Sequence, residues 1–182
     1  MNYRITGTGS CTPDIVKKNS DFLQNKFLDR DGSDIQSSNP EIIEKFKSIT
    51  GITERRYASD EMNCSDLATD AARSAIVDSK IDQETLDYII VAHNAGDISC
   101  NSGQVDTLPS IASKVKAKLK IKNPNCVAYD IICGCPGWVE GMIQAKSFIK
   151  SGMASKCLII GCDTLSRILD KNDRDSMIYA DG

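Results

Sequence analysis

The sequence contains one histidine, no long apolar run and no excess of basic residues, and each scarcity argues against a class of protein. No apolar stretch approaches the roughly 20 residues that a helix needs to cross a bilayer. The N-terminus lacks the basic region and apolar run of a signal peptide. The formal net charge of −3 gives no reason to expect nucleic-acid binding. We therefore expect a cytoplasmic protein with neither a membrane nor a nucleic acid as its partner.

The eight cysteines are spread along the chain, and without a secretory signal we expect them to stay reduced. A structural zinc site typically combines paired cysteines, or one cysteine pair with spaced histidines. Here Cys133 and Cys135 form one close pair, Cys157 and Cys162 form a wider one, and His93 is the sole histidine. We therefore expect no metal site. Because free cysteine is a common small core residue, most of these cysteines are expected to be structural.

Strand-like and helix-like segments alternate along the chain. Apolar or alternating runs predict strands over 3–11, 86–94, 125–132 and 156–163, with one more beginning within 175–182. Helical periodicity and capping residues predict helices over 39–50, 64–77, 108–119 and 137–152. This order predicts one α/β domain over 1–182, with a mostly parallel sheet flanked by helices.

A lysine-rich segment, SKVKAKLKIK, occupies 113–122. Ile111, Val115 and Leu119 recur at intervals of four, which predicts a helix with one apolar face and solvated lysines around it. The alternative is a basic face that docks an acidic partner such as a carrier protein.

The segment YDIICGCPGW at 129–138 places two cysteines where a predicted strand meets a predicted helix. Cys135 follows the strand and stands at the start of the helix, whose first turn has unpaired N–H groups and a partial positive charge. A thiolate is stabilised there and is the reactive form of cysteine. Gly134 and Gly137 permit a tight turn, and Pro136 suits the first helical position.

From the residues alone, Cys135 is either a nucleophile or a core thiol. As a nucleophile it would also offer its own backbone N–H to a carbonyl oxygen. We expect Cys133, two residues earlier, to be a packed core thiol. A disulfide between Cys133 and Cys135 would be strained.

A series of motifs resembles β-ketoacyl-acyl-carrier-protein synthase III, a member of the thiolase superfamily. The motifs are GITERR, LDYIIVA, YDIICGCPGWVEGM, IKSG, CLIIGCDTLSRILDKNDR and IYADG. They span essentially the whole chain but only the N-terminal half of a family member. The family's active-site pattern, D-x-x-x-x-C-x-G-[FW], falls on Asp130, Cys135, Gly137 and Trp138. The resemblance thus selects Cys135 as the nucleophile.

The resemblance implies one half of the thiolase-like layered fold and a decarboxylative Claisen condensation, as in the initiation of fatty acid synthesis. The cysteine takes an acyl group from acyl-coenzyme A or acyl carrier protein and passes it to a malonyl group on acyl carrier protein. The substrates are thioesters, and no resident cofactor is implied. Family members are homodimers. Their catalytic histidine and asparagine belong to the second half, so we expect this chain to be inactive alone.

The resemblance also implies substrate-binding residues. Arg167 matches an arginine that lines the coenzyme A entrance and stacks on adenine, a role that suits a planar cation. Thr50 matches a threonine at the same entrance. Lys45 and Ile49 stand where the family has a tryptophan and an arginine, so the adenine sandwich is incomplete, although Lys45 can contact phosphate. Leu108 matches a residue that caps the partner's acyl pocket across the dimer.

Three alternatives stay open. The loop over 95–107 is longer than usual, so the donor can be a carrier-protein thioester or an unusual acyl-coenzyme A. The chain also resembles synthase III relatives of secondary metabolism. A non-catalytic scaffold or dimerisation half-domain is the third reading, with an apolar surface that leads to association.

His93 is expected to be a structural histidine with satisfied hydrogen bonds.

Overall fold

The computed structural model describes residues 3–100 and 102–182. Asn101, within the long loop of the sequence prediction, lies outside the described residues. In chain order the main elements are β1 (Ile15–Lys18), α1 (Asn39–Thr50), β2 (Glu54–Tyr57), α2 (Cys64–Ser79), β3 (Tyr88–His93), β4 (Asp97–Ile98), β5 (Val105–Asp106), α3 (Ile111–Lys118), β6 (Val127–Ile132), α4 (Gly137–Ser151) and β7 (Cys157–Gly161).

A three-stranded parallel sheet in the order β6-β3-β7 forms the centre of the fold. The middle strand is buried on both faces. Ile89 and Val91 pack into the core cluster shared with α2 and α3, whereas Ile90 lies beside Gly141 of α4. The continuous apolar run of β3 therefore reflects helices on both sides of the sheet. The predicted α/β layered architecture is confirmed.

The helix boundaries follow local capping chemistry. Gly51 ends α1 at φ 71° and Gly152 ends α4 at φ 79°, as their positions after the periodic segments predicted. Asn63 precedes α2 and its backbone N–H bonds Asp66. Ser38 is the N-cap of α1, and its N–H and hydroxyl both donate to Glu41 at 2.8 Å.

The predicted strand over 3–11 is wrong. Alternation favours an extended chain, but a strand also needs a ladder partner, and this segment pairs with no described strand. It lies against α2 instead, where a Cβ on Gly7 or Gly9 would come within 2.5 and 2.3 Å of the Ala75 and Ala71 carbonyl oxygens. An open groove of about 780 Å³ separates the segment from β7 and α4.

The predicted strand within 175–182 is also wrong. Residues Arg174–Ile178 form a short 3-10 helix, and the Asp173 side chain accepts a hydrogen bond from the Asp175 N–H at its start. Asp181 then forms a single bridge with Thr164. Two ladders were not predicted: β1 pairs antiparallel with β2, and β4 with β5 inside the long loop.

The lysines of the 113–122 segment are not simply solvated. Lys114 Nζ lies 3.0 Å from Asp97 Oδ2 and 2.8 Å from Asp106 Oδ2. Lys116 donates to the Cys126 carbonyl oxygen, and Lys118 to Asp66. The apolar face of α3 is buried as predicted. Because Lys114 and Lys118 are paired with carboxylates, the segment offers less unpaired positive charge to an acidic partner than its sequence indicates.

Within residues 3–100 and 102–182, no helix is both long and apolar enough to cross a bilayer. The same residues contain no group of three or more metal-ligating side chains arranged to hold an ion.

Candidate active site

The carboxyl ends of the three parallel strands meet at one edge of the sheet, where ligands bind in open α/β folds. Asn94 follows the middle strand β3. Cys135 follows β6 across a short turn, and Asp163 follows β7. Three neighbouring strands therefore deliver polar or nucleophilic side chains to the same edge.

Cys135 lies in the turn between β6 and α4, with an exposed and free thiol. Gly134 adopts φ 61°, and the Gly137 N–H donates to its carbonyl oxygen at 2.9 Å. A left-handed φ favours glycine at this position. A Cβ on Gly137 would lie 3.1 Å from the Ala92 Cβ, so glycine also lets the turn approach β3. This turn presents the thiol to solvent directly before α4, and its role as the nucleophile stays a prediction.

The expectation that Cys133 packs in the core is wrong, because Cys133 is exposed. It lies just beyond the end of β6, which is an edge strand of the three-stranded sheet. Ile132 beside it is 66% exposed. An edge position leaves one side of the strand without a neighbour, so apolar residues there are not covered.

The expectation for His93 is confirmed: it is a buried structural histidine with both ring nitrogens bonded. Its Nδ1 accepts the Gly96 N–H at 2.9 Å, so Nε2 carries the proton and donates to Asp130 Oδ2 at 3.0 Å. Asp130 also accepts the backbone N–H groups of Ile111 at 2.7 Å and Ala112 at 2.8 Å, in the first turn of α3. His93 and Asp130 thereby fix both ends of the 94–110 loop.

The electrostatics of Asp130 follow from these contacts. Burial acts to raise the pKa of this carboxyl group. The hydrogen bonds from His93, Ala112 and Ile111 outweigh that effect, and the pKa is lowered. Asp130 is therefore an ionised anchor beneath the α3 N-terminus, and not a free catalytic acid.

Asn94 and Asp163 form a second polar pair that sequence reasoning missed. Asp163 accepts the Asn94 backbone N–H at 2.8 Å and the Asn94 side-chain Nδ2–H at 2.6 Å. Burial raises the pKa of Asp163, and the two bonds from Asn94 oppose the rise. The available signal was their position, because each is the last residue of a predicted strand.

Arg167 joins three segments through its guanidinium group. One terminal nitrogen donates to Asn63 Oδ1 at 2.8 Å and to the Ile98 carbonyl oxygen at 2.6 Å. The other donates to the carbonyl oxygens of Ser59 and Met62. All four terminal N–H groups are thus used within the protein. Coenzyme A binding by Arg167 stays a prediction.

The other predicted binding residues lie on α1 and in the loop before α3. Thr50 caps the end of α1, donating to the Phe46 carbonyl oxygen at 2.8 Å and accepting the Ile52 N–H at 3.1 Å. Lys45 is exposed on α1. Leu108 is 82% exposed in the loop before α3, at a cis bond to Pro109. The substrate-binding roles of these three residues stay predictions.

A second, polar cavity of about 430 Å³ lies beside the Arg167 contacts. Carboxylates of Asp60, Asp97 and Asp106 line it together with Asn63 and Cys100. Cys100 Sγ donates to Asp60 Oδ1 at 3.0 Å. Lys114 neutralises part of this charge, since it contacts both Asp97 and Asp106.

Known proteins resemble this chain over its whole length. Residues 129–182 match the family model of 3-oxoacyl-[acyl-carrier-protein (ACP)] synthase III. All of the chain aligns at 38% identity with a β-ketoacyl-[acyl-carrier-protein] synthase III of Neisseria gonorrhoeae and covers 51% of it. A β-ketoacyl-[acyl-carrier-protein] synthase III 1 of Vibrio vulnificus is 36% identical, with the same coverage.

The fold is also similar to solved structures of these proteins. The crystal structure of 3-oxoacyl-[acyl-carrier-protein] synthase III from Aquifex aeolicus matches 98% of this chain and 50% of its own, with a TM-score of 0.77 and 32% identity. The chain therefore spans about half the length of the relatives it matches.

Proposed function

Because the chain belongs to the β-ketoacyl-[acyl-carrier-protein] synthase III family and corresponds to the N-terminal half of its members, we propose that it carries the nucleophile of a decarboxylative Claisen condensation in fatty acid synthesis. The Cys135 thiolate attacks the carbonyl carbon of an acyl thioester. The bond from that carbon to the donor sulfur breaks, and the released thiolate takes up a proton to become the free thiol. The acyl group then stays on Cys135 as a thioester.

The second step uses malonyl-acyl carrier protein. Loss of carbon dioxide leaves a carbanion, which attacks the acyl carbon and forms the new carbon–carbon bond. The bond to Cys135 breaks and restores the thiolate. Covalent catalysis of this kind divides one difficult reaction into two easier ones. The histidine and asparagine that assist decarboxylation are expected in the other half of the full-length enzyme.

The observation that carries this proposal is the exposed Cys135 thiol in a glycine turn at the carboxyl edge of the sheet. The unpaired N–H groups at the start of α4 favour negative charge nearby. The Cys135 N–H is available to the oxygen of a bound thioester as one donor of an oxyanion hole.

The partners in this proposal are acyl carrier protein, acyl-coenzyme A and a second copy of the enzyme in a homodimer, all in the cytoplasm. No resident cofactor is required. The unpaired outer edge of β6 supports the dimer, because edge strands readily pair with another chain. Leu108, exposed in the loop before α3, is the residue we expect to reach the partner's acyl pocket.

The acyl donor can be acyl-coenzyme A or acyl carrier protein, and the surroundings of Arg167 bear on this choice. Arg167 has no terminal N–H free for a phosphate, because all four are donated within the described protein. The nearby carboxylates of Asp60, Asp97 and Asp106 repel phosphate groups. These features weigh against direct contacts between Arg167 and the phosphate groups of coenzyme A. Thr50 and Lys45 remain candidates for contacts at the entrance.

Mass spectrometry after incubation with acyl-coenzyme A or acyl-carrier protein tests the nucleophile. We expect one acyl group per chain, and fragmentation should place it on Cys135. Cys135→Ala should remove it, whereas Cys133→Ser, the matched control two residues away, should acylate like the parent. If Cys135→Ala acylates as well as the parent, the assignment is wrong. We expect no condensation product from the 182-residue chain alone, and robust product formation would contradict that expectation.

A second candidate is a non-catalytic half-domain that serves as a scaffold or dimerisation unit. It is favoured by the apolar residues that α4 exposes: Trp138, Val139 and Ile143 are 44%, 53% and 51% exposed. Such a patch marks an interaction surface. The acylation assay separates the candidates, because a scaffold gives no acylated Cys135, while sedimentation measures the association that both predict.

A further inference from the structure

One side-chain amide beside the Cys135 turn has a defined orientation. The Asp163 carboxylate accepts the Asn94 backbone N–H at Oδ1 and the side-chain Nδ2–H at Oδ2. An ionised carboxylate only accepts hydrogen bonds, so the amide must turn its nitrogen toward Asp163. Asp163 is itself held in place, because its N–H donates to the Gly182 carbonyl oxygen and its carbonyl oxygen accepts the Gly182 N–H.

The side-chain oxygen of Asn94, Oδ1, faces the Cys135 turn. A Cβ on Gly134 would lie 3.5 Å from Asn94 Oδ1, so this oxygen stands against the residue that precedes Cys135. No group among residues 3–100 and 102–182 donates a hydrogen bond to it. Asn94 is partly exposed, so a ligand at the turn can reach this oxygen.

An acceptor at this place has a specific chemical use. A carbonyl oxygen cannot stabilise negative charge on the thioester oxygen, so Asn94 Oδ1 is not an oxyanion donor. It can recognise an N–H group of the donor. Acyl-coenzyme A and acyl carrier protein carry their acyl group on the same pantetheine arm, whose amide N–H lies close to the thioester sulfur.

We propose that Asn94 Oδ1 accepts a hydrogen bond from the pantetheine amide N–H nearest the thioester sulfur, and that Asp163 positions the amide for this contact. The inference rests on the proposed acylation of Cys135. Such a contact would hold the thioester carbonyl over the thiol, which lowers the entropic cost of attack. Asn94 would thus bind substrate, and Asp163 would be a positioning residue.

The test compares two thioesters of one acyl group under single-turnover conditions. The N-acetylcysteamine thioester carries the amide N–H, and the S-ethyl thioester lacks it. Acylation of Cys135 is followed by mass spectrometry in the parent, Asn94→Ala, Asp163→Asn and the control Asn172→Ala, which changes an exposed asparagine away from the turn. Alkylation of Cys135 by iodoacetamide and thermal unfolding report whether each variant keeps the turn and the fold.

We expect the parent and Asn172→Ala to prefer the amide-bearing thioester by roughly two- to tenfold in half-saturation concentration, the size of one hydrogen bond. Asn94→Ala should lose this preference, with unchanged alkylation and unchanged reaction of the S-ethyl thioester. Asp163→Asn should lose part of it, since an amide at 163 no longer dictates how Asn94 is turned.

Three results would overturn the inference. If Asn94→Ala keeps the preference for the amide-bearing thioester, the proposed contact does not exist. If Asn94→Ala slows the reaction with both thioesters and with iodoacetamide equally, Asn94 is a structural residue of the turn. If neither thioester acylates the parent although iodoacetamide alkylates Cys135, the proposed acylation is wrong and this contact with it.

Discussion

Asp130 joins β6 to His93 and to the start of α3, and its replacement by asparagine should destabilise the fold measurably. Oδ2 accepts from His93 at 3.0 Å and from the Ile111 N–H at 2.7 Å, and Oδ1 accepts the Ala112 N–H at 2.8 Å. In Asp130→Asn one oxygen can take the place of Oδ2, but an NH2 group then faces the Ala112 N–H. A hydrogen bond to a charged group contributes about 1.5–3 kcal/mol, and the retained bonds lose their charge, so we expect a loss of roughly 2–4 kcal/mol.

Urea unfolding followed by circular dichroism measures this loss at neutral pH. The control is Asp14→Asn, which changes an exposed carboxylate and should stay within about 0.5 kcal/mol of the parent. The reasoning is refuted if Asp130→Asn also stays within that range, because the buried bonds would then contribute nothing.

The pH dependence supplies an independent check. The folded pKa of Asp130 is lowered, because its hydrogen bonds outweigh burial, so it lies below the unfolded value of about 3.9. The ionised carboxylate therefore stabilises the fold fully above that pH, and the contribution disappears as pH falls through the folded pKa. The difference in stability between parent and Asp130→Asn should shrink below about pH 4. A difference that is constant down to acid pH would contradict the assignment.

Three further substitutions test the packing and the turns. Gly141→Ala places a Cβ 3.0 Å from Ile159 Cγ2, and this overpacking should outweigh the helical preference of alanine, lowering stability by about 1 kcal/mol in urea unfolding; an increase in stability would show that α4 can move away. Gly51→Ala meets no atom within 4 Å but keeps a φ of 71°, so we expect a cost of about 1 kcal/mol from the backbone alone, and a neutral result would show that α1 can end differently. Arg167→Lys cannot serve four acceptors from one ammonium group, so hydrogen exchange should accelerate at residues 59–63 while α4 stays protected; unchanged exchange would contradict the role of Arg167 as the link.

The strands of the parallel sheet and the longer helices were predictable because their signals are local. Continuous apolar runs identified β3, β6 and β7, and glycine at the end of a periodic segment identified the ends of α1 and α4. The segment 3–11 shows the limit of such signals. Its alternation is real, but a strand exists only when a neighbour completes its ladder, and the neighbour cannot be read from the segment itself.

The position of Cys135 between strand and helix was predicted from the residues, and its exposed turn agrees with that prediction. Cys133 was misjudged because the edge position of β6 is a property of strand order. Arg167 shows the same limit, since its four acceptors come from segments far from it in sequence.

The sequence by itself determined the layered α/β class, the ends of α1 and α4 and the placement of a thiol at the start of α4, because these depend on apolar periodicity, capping and turn chemistry within a few residues. Only the tertiary structure decided that His93 and Asp130 anchor the 94–110 loop, and that Asp163 orients Asn94 toward the Cys135 turn. Those hydrogen bonds join residues on different strands, and the order in which strands assemble is set by packing of the whole sheet.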